Sequence, residues 1–405
     1  MKKKSKLPIV IVVAAVAVLG LAAGMVAMTG CGDGNPIAVE EPEPVINPLT
    51  GIEVESEDAL PVRPVVVSIP NAPDGAVPQS NLSYADIIYE FPVEAQLTRL
   101  QAVYYSQFPD KFGPIRSVRY YFVDVAREFK ACHVGYGWGK KAKPYMEKSG
   151  IPHINGMQDY DLFYRVTDKS APNNAYIDWS SVEKRADEEG WFEERVNIKP
   201  YKFRDEAWEE EVKAEKAEAE ALIEEKGASE DPEDIEAVEK AKAIVEAEPE
   251  YAKSVHVSSS GCNSECIYNE ETGMYDRYWY GEPFIDKETG EQLSFNNVIV
   301  QYVHSDMMTD SETGEVDYKH RLEIDMAQGG DAMLFTQGEV VKGTWSRKDM
   351  DSRTIFKDKN GKQFRLSPGT TWIYVVDQNM NCDYVEGEPP TTEESTEATE
   401  STDTE

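Results

Sequence analysis

Buried-looking apolar runs, helix-spaced stripes and short alternating strands follow one another along this chain. Val65–Ile69, Tyr89–Glu94 and Leu97–Tyr105 are dense in Val, Tyr and Phe, the composition of buried strands. Over 117–129, Val118, Tyr121, Phe122, Val125, Ala126 and Phe129 recur at spacings of three and four. That predicts a helix with one apolar stripe, with Pro114 just ahead of its start. Ser83, three residues before Asp86, predicts a short helix start. Ala131–Tyr136 and Ile151–Asn155 predict further strands, separated by a helix that contains Pro144 and closes at Gly150, a residue suited to the C′ position. Strands alternating with helices give residues 47–204 an α/β fold, a mixed sheet with covering helices.

The period changes after residue 204. Residues 205–226 and 231–247 are rich in Glu, Ala and Lys, with Pro232 at a natural helix start and few large apolar side chains. They predict an exposed helical insertion over 205–253, read as a spacer. From Ser254, short strand candidates recur: Val255–Val257, Asn297–Val303, His320–Met326, Ala332–Thr336, Glu339–Trp345, Gln363–Leu366 and Thr371–Val376. Asn360-Gly361 is a hairpin signal. Residues 254–382 therefore predict a mainly antiparallel β domain, with Trp345 and Trp372 in its core. Residues 32–46 read as a disordered Pro- and Glu-rich tether, and 383–405 as a disordered acidic tail.

Charge sharpens the picture. The 405-residue chain carries a net −34, unevenly spread. Residues 205–253 hold 19 acids and 6 bases, whereas residues 96–148 hold ten Lys and Arg against four acids. An acidic chain argues against nucleic acid as a partner, since phosphates require a positive face. The N-terminus has Lys2, Lys3, Lys4 and Lys6, an uncharged apolar run from Leu7 to Met28, then Met28-Thr29-Gly30-Cys31. Residues 1–31 thus read as a lipoprotein signal peptide and lipobox, with Cys31 lipidated by a palmitate-like acyl chain. An uncleaved membrane anchor is the alternative. Both place the body on the extracytoplasmic face of the cell membrane.

Candidate chemistry lies in the basic island. Arg116 and Arg119 fall at the positive end of the predicted helix, so they and Arg99 require a negative counterpart. Glu90 and Glu94 are the nearest candidate acidic partners; a bound anion is the other. Gly135, Gly137 and Gly139 follow a strand and precede Lys140, and would converge with the arginines on such an anion, although the spacing lacks the full phosphate-loop pattern. Cys262 and Cys266 are a candidate disulfide or free thiols. The scattered histidines and cysteines show no metal-ligand spacing, and no cofactor motif occurs.

Asn47-Pro-Leu-Thr-Gly51, Ser83-Tyr-Ala-Asp86-Ile-Ile-Tyr-Glu90, Glu94 with Thr98-Arg99, Gly113-Pro-Ile-Arg116-Ser-Val-Arg119 and Pro368-Gly-Thr-Thr-Trp372 resemble the signature stretches of the YerB-like family of bacterial lipoproteins. The resemblance spans roughly 47–180 and 255–377 and implies a lipid-anchored, two-part extracytoplasmic protein; it supplies no catalytic residue. The insertion over 205–253 departs from the family pattern, as does Gly137-Trp138-Gly139. Together these readings give a non-enzymatic binding or adaptor protein of the cell envelope, with an anionic cell-wall component or an envelope protein as partner. An envelope hydrolase using Glu90 and Glu94 as paired carboxylates is one alternative. A structural adaptor for membrane or cell-wall machinery is the other.

Overall fold

The computed structural model describes residues 44–309 and 313–389. Cys31, the signal segment, most of the tether and most of the tail lie outside the described residues. The principal elements are β1 (Val65–Asn71), β2 (Ile87–Pro92), β3 (Thr98–Tyr104), α1 (Tyr120–Phe129), β4 (Cys132–Gly135), α2 (Ala142–Ser149), β5 (His153–Asn155), α3 (Trp179–Glu188), α4 (Glu206–Lys226) and α5 (Pro232–Val245). There follow β6 (Glu250–Ser259), β7 (Cys262–Asn269), β8 (Met274–Trp279), β9 (Asn297–Tyr302), β10 (Gly330–Thr336), β11 (Glu339–Ser346), β12 (Thr371–Val376) and β13 (Asn381–Glu386).

One sheet runs through both halves, in the order β8-β7-β6-β11-β10-β9-β12-β2-β3-β1-β4-β5. Pairing is parallel at β9–β12, β12–β2, β1–β4 and β4–β5, and antiparallel elsewhere along this order. The N-terminal part is therefore α/β with a mixed sheet, and the C-terminal part is mainly antiparallel β. The seam between them is register-matched, Thr371 opposite Ile87 and Tyr374 opposite Glu90.

The period-two alternation of the central strands sends side chains to two cores. Tyr89, Phe91, Val103, Ile373 and Val375 pack with the α1 stripe of Tyr121, Phe122, Val125 and Phe129. Ile88, Leu100, Ala102, Tyr104, Trp372 and Tyr374 pack on the other face with Cys262, Cys266, Tyr275 and Trp279 of β7 and β8. Trp345 and Trp372 are both core residues. The long strand β6 makes the second layer possible: its start pairs with β11 and the rest with β7 and β13.

Several expectations shift. The helix predicted from 117 begins at Tyr120, with Arg119 as its extended N-cap. Around Ser83 there is a single 3₁₀ turn, Leu82–Tyr84, with Asn81 rather than Ser83 at the position before it. Residues 383–386, expected in the tail, complete β13, and Val45–Ile46, expected in the tether, pair with Glu53–Val54. The insertion is the expected helical hairpin, with Asp231 capping α5 at the backbone N–H of Glu233 and Pro232 at its first position.

Candidate functional site

The arginine cluster is assembled from β3, the segment ahead of α1, and the loop after β4. Arg116 is tied to β1 by its N–H on the Ser68 carbonyl, at 2.8 Å. The loop then zips onto the same segment: Tyr136 N–H donates to the Arg116 carbonyl (2.9 Å), Val118 N–H to that of Gly137 (3.0 Å), and Gly139 N–H to that of Val118 (2.8 Å). This zip holds 116–118 extended and explains the late start of α1. It lays the Gly135–Gly139 loop against the Arg116–Arg119 segment through the backbone.

The glycines do not form an anion cradle. The Gly139 amide is committed to Val118, and the Gly137 amide donates to Asn155 Oδ1 at 2.9 Å. Their small size serves packing instead. A Cβ on Gly135 would stand 2.4 Å from Val118 Cγ2, and Gly137 sits at φ +94°.

Two of the guanidinium groups, those of Arg99 and Arg119, meet over one carbonyl. Arg99 Nη1 donates to Ser117 O at 2.6 Å, and Arg119 Nη1 to the same oxygen at 3.3 Å. Arg119 also clasps Glu94 through both nitrogens of its fork, Nε to Oε1 at 2.9 Å and Nη2 to Oε2 at 2.6 Å. Arg321, from the C-terminal half, stands 3.6 Å from Glu94 and 2.7 Å from Asp317. Among the described residues neither Arg99 nor Arg116 contacts a carboxylate, and the Nε of each is buried without a partner. Burial, then the Arg119 and Arg116 charges, pull the Arg99 guanidinium well below its ordinary value. Burial raises the Glu94 carboxyl, but the Arg119 hydrogen bond and charge outweigh it and hold the group below the usual range.

A buried polar chain runs on behind Arg99. Ser68 Oγ receives Gln101 Nε2 at 3.2 Å, and Gln101 Oε1 lies 3.1 Å from His133 Nε2. Burial, helped by the charge of His153, takes the His133 pKa down to about 3.

Glu90 does not join this cluster. Residue parity on β2 turns it to the opposite face of the sheet, where Oε1 accepts from Asn71 (2.8 Å) and Thr98 (2.7 Å), and Oε2 pairs with Arg277 of β8 at 3.0 Å. Both members of that pair are essentially unexposed. Glu94 leaves the strand in the next turn and faces α1, so the two carboxylates share no site and the paired-carboxylate geometry of a glycosidase is not formed. Arg277 lies among the rings of Trp372 (4.5 Å), Phe284 (4.8 Å), Trp279 (5.5 Å) and Tyr374 (5.8 Å). Sequence reasoning missed it, although the alternation Tyr275, Arg277, Trp279 marks it as inward-facing.

Cys262 and Cys266 are free buried thiols, not a disulfide. Both lie on β7, where four residues of extended chain separate their Cα atoms by about 13 Å, against the roughly 7 Å limit for a bridge. Cys262 Sγ instead faces Glu90 Oε1 at 3.6 Å, and Cys266 Sγ faces the Tyr374 hydroxyl at 3.3 Å.

Residues 49–192 match the N-terminal domain of the "Protein of unknown function (DUF3048)" family, and residues 254–373 match that family's C-terminal domain. "Putative lipoprotein YerB" of Bacillus subtilis (strain 168) is 29% identical over 332 residues, covering 81% of this chain and 85% of its own. The crystal structure of YerB protein from Bacillus subtilis matches with a TM-score of 0.65 at 26% identity, over 84% of this chain and 99% of that one.

Proposed function

This chain belongs to the YerB-like family, whose members carry the DUF3048 N- and C-terminal domains, and from that premise we propose that it is a lipid-anchored protein of the cell envelope that holds an anionic envelope component at Arg99, Arg116 and Arg119. The anchoring part draws on the basic n-region, apolar run and lipobox ending at Cys31, and on the lipoprotein name of its relative. Among the described residues no helix is long and apolar enough to cross a membrane.

The binding part rests on one observation. Arg99 and Arg119 share the Ser117 carbonyl oxygen with Arg116 nearby in the same segment, yet only Arg119 of the three has a carboxylate in contact. Guanidinium groups with no carboxylate in contact are the arrangement by which proteins capture phosphate or carboxylate groups. Arg116, Ser117 and Arg119 are partly solvent-exposed, so an anion has an approach.

The test is retention of the full-length protein, in neutral detergent, on immobilised poly(glycerol phosphate). Retention is expected at low salt and release near 1 M, where the screening length shrinks to about 3 Å. Arg116→Ala should weaken retention about tenfold, one charge-assisted contact being lost. Salt-insensitive retention, or full retention of the variant, removes the proposal.

A further inference from the structure

Glu94 is positioned with more apparatus than a surface counter-ion needs. It begins the turn between β2 and β3, and the next two residues, Ala95 (φ +58°) and Gln96 (φ +56°), both adopt the left-handed conformation that non-glycine residues rarely take. The C-terminal half clamps this turn. Ser259 Oγ donates to the Gln96 carbonyl at 2.7 Å, and Ser260 N–H donates to Gln96 Oε1 at 3.0 Å. A Cβ on Gly261 would come within 2.8 Å of that same carbonyl. The outcome is a carboxylate locked into the Arg119 fork, beside Arg99 and Arg116.

A planar carboxylate has two oxygens, and here both go to Arg119. Arg99 is 7% exposed, and its Nε has no acceptor. A phosphoryl group presents three oxygens spread in space where a carboxylate presents two in one plane, so it can give each of three guanidinium groups an oxygen of its own. Resting on the anion-binding reading above, we propose that Glu94 is a built-in occupant of the arginine site, and that the ligand is a phosphate ester whose oxygens replace the Glu94 carboxylate on Arg119 while reaching Arg99 and Arg116. Exchange breaks the Glu94–Arg119 pair, leaving Glu94 to Arg321 and the 94–97 turn held by its contact with Ser259–Gly261.

Titration calorimetry of the full-length protein in neutral detergent tests this, with two probes: glycerol 3-phosphate, and the short-chain soluble lipid dioctanoyl phosphatidylglycerol. Glu94→Gln keeps the shape of the side chain and removes its charge; Glu94→Ala is the second variant, and near-ultraviolet circular dichroism checks that both retain the native fold. Both variants should bind about tenfold tighter than wild type, and adding Arg116→Ala to either should abolish the gain. A gain confined to the lipid identifies a headgroup as the source, and a gain with both identifies the free ester; either supports the proposal. Wild-type binding with no gain in natively folded variants overturns the role of Glu94 and leaves the anion site standing. Succinate bound as tightly as the phosphate probes overturns the phosphate assignment. No binding of any anion by any of the proteins, together with no retention on the polymer, removes the anion site itself.

Discussion

His133 and Arg277 show how a single buried side chain on either face of the sheet controls stability. His133 is held neutral, with Nε2 against Gln101 and Nδ1 buried without a partner. Its native pKa of about 3 lies below the ordinary value of about 6.5. Between those values the unfolded chain takes up a proton that the native chain refuses, so stability falls as pH drops through this window. From pH 7 to pH 4.5, wild type should lose about 2–3 kcal/mol more unfolding free energy than His133→Gln; parallel losses in urea titrations would dismiss this origin of acid sensitivity. On the other face, Arg277→Met strips Glu90 of its only ion-pair partner among the described residues and should cost about 3–5 kcal/mol. Adding Glu90→Gln should restore more than half of that loss, because an uncompensated buried charge is the expensive state. Equal destabilisation of the single and double variants would mean that Arg277 matters only through its ring contacts.

Among the elements, those with strong periodicity were legible in the sequence and those with mixed composition were not. The α1 stripe, the strands around it and the α4–α5 hairpin follow from spacing, capping and proline placement. The three residues 117–119 depart from the expected helix because the backbone of 116–118 is claimed by the loop at 136–139, a long-range pairing that no local pattern announces. β7 escapes notice because Asn263, Ser264 and Glu265 are poor strand formers; only the inward set Cys262, Ser264 and Cys266 betrays the alternation. The arginine cluster was legible as a charge excess, but its division between Arg119, paired with Glu94, and two arginines with no carboxylate in contact was not, because β2 turns Glu90 to the face that Arg277 occupies. The α4–α5 hairpin has only Ala219, Val238 and Ala241 buried and meets the body through ion pairs such as Glu211–Arg365 and Glu215–Lys362. Exposed pairs of this kind contribute little, roughly 0–1 kcal/mol each. Its amides should therefore exchange with deuterium through local opening, well ahead of those in β2, β3 and β12. Protection equal to that of the central strands would show that the hairpin is an integral part of the core and not an appended spacer.

At the scale of the whole molecule, the two family domains are joined by their backbones. β12 lies between β9 and β2 and pairs with both in parallel, so the edge of β2 is covered only after residue 376 has been placed. Each face of the sheet adds a tie across the same seam. Glu90 of β2 meets Arg277 of β8 on one side, and Glu128 of α1 meets Arg353 at 2.5 Å and Arg347 at 3.5 Å on the other. A fragment ending at residue 204 would present Ile87-Ile88-Tyr89-Glu90 as an open apolar edge, the feature that drives strand-to-strand aggregation. It would also leave Glu90 and Glu128 buried without their cations. The 44–389 body should accordingly unfold in urea as one transition, with tryptophan fluorescence and far-ultraviolet circular dichroism tracing the same curve. Residues 44–204 expressed alone should be aggregated or unfolded, and co-expression with 250–389 should rescue solubility. Two separated transitions, or a soluble N-terminal fragment with dispersed amide resonances, would instead mean that the β2–β12 seam is a docking contact between independent folds. In that case the clamp of Ser259–Gly261 on the Glu94 turn could open without cost to the core. Under a single transition, opening that turn has to be a local event confined to residues 93–97, which restricts any ligand-driven change at the arginine site to the turn itself.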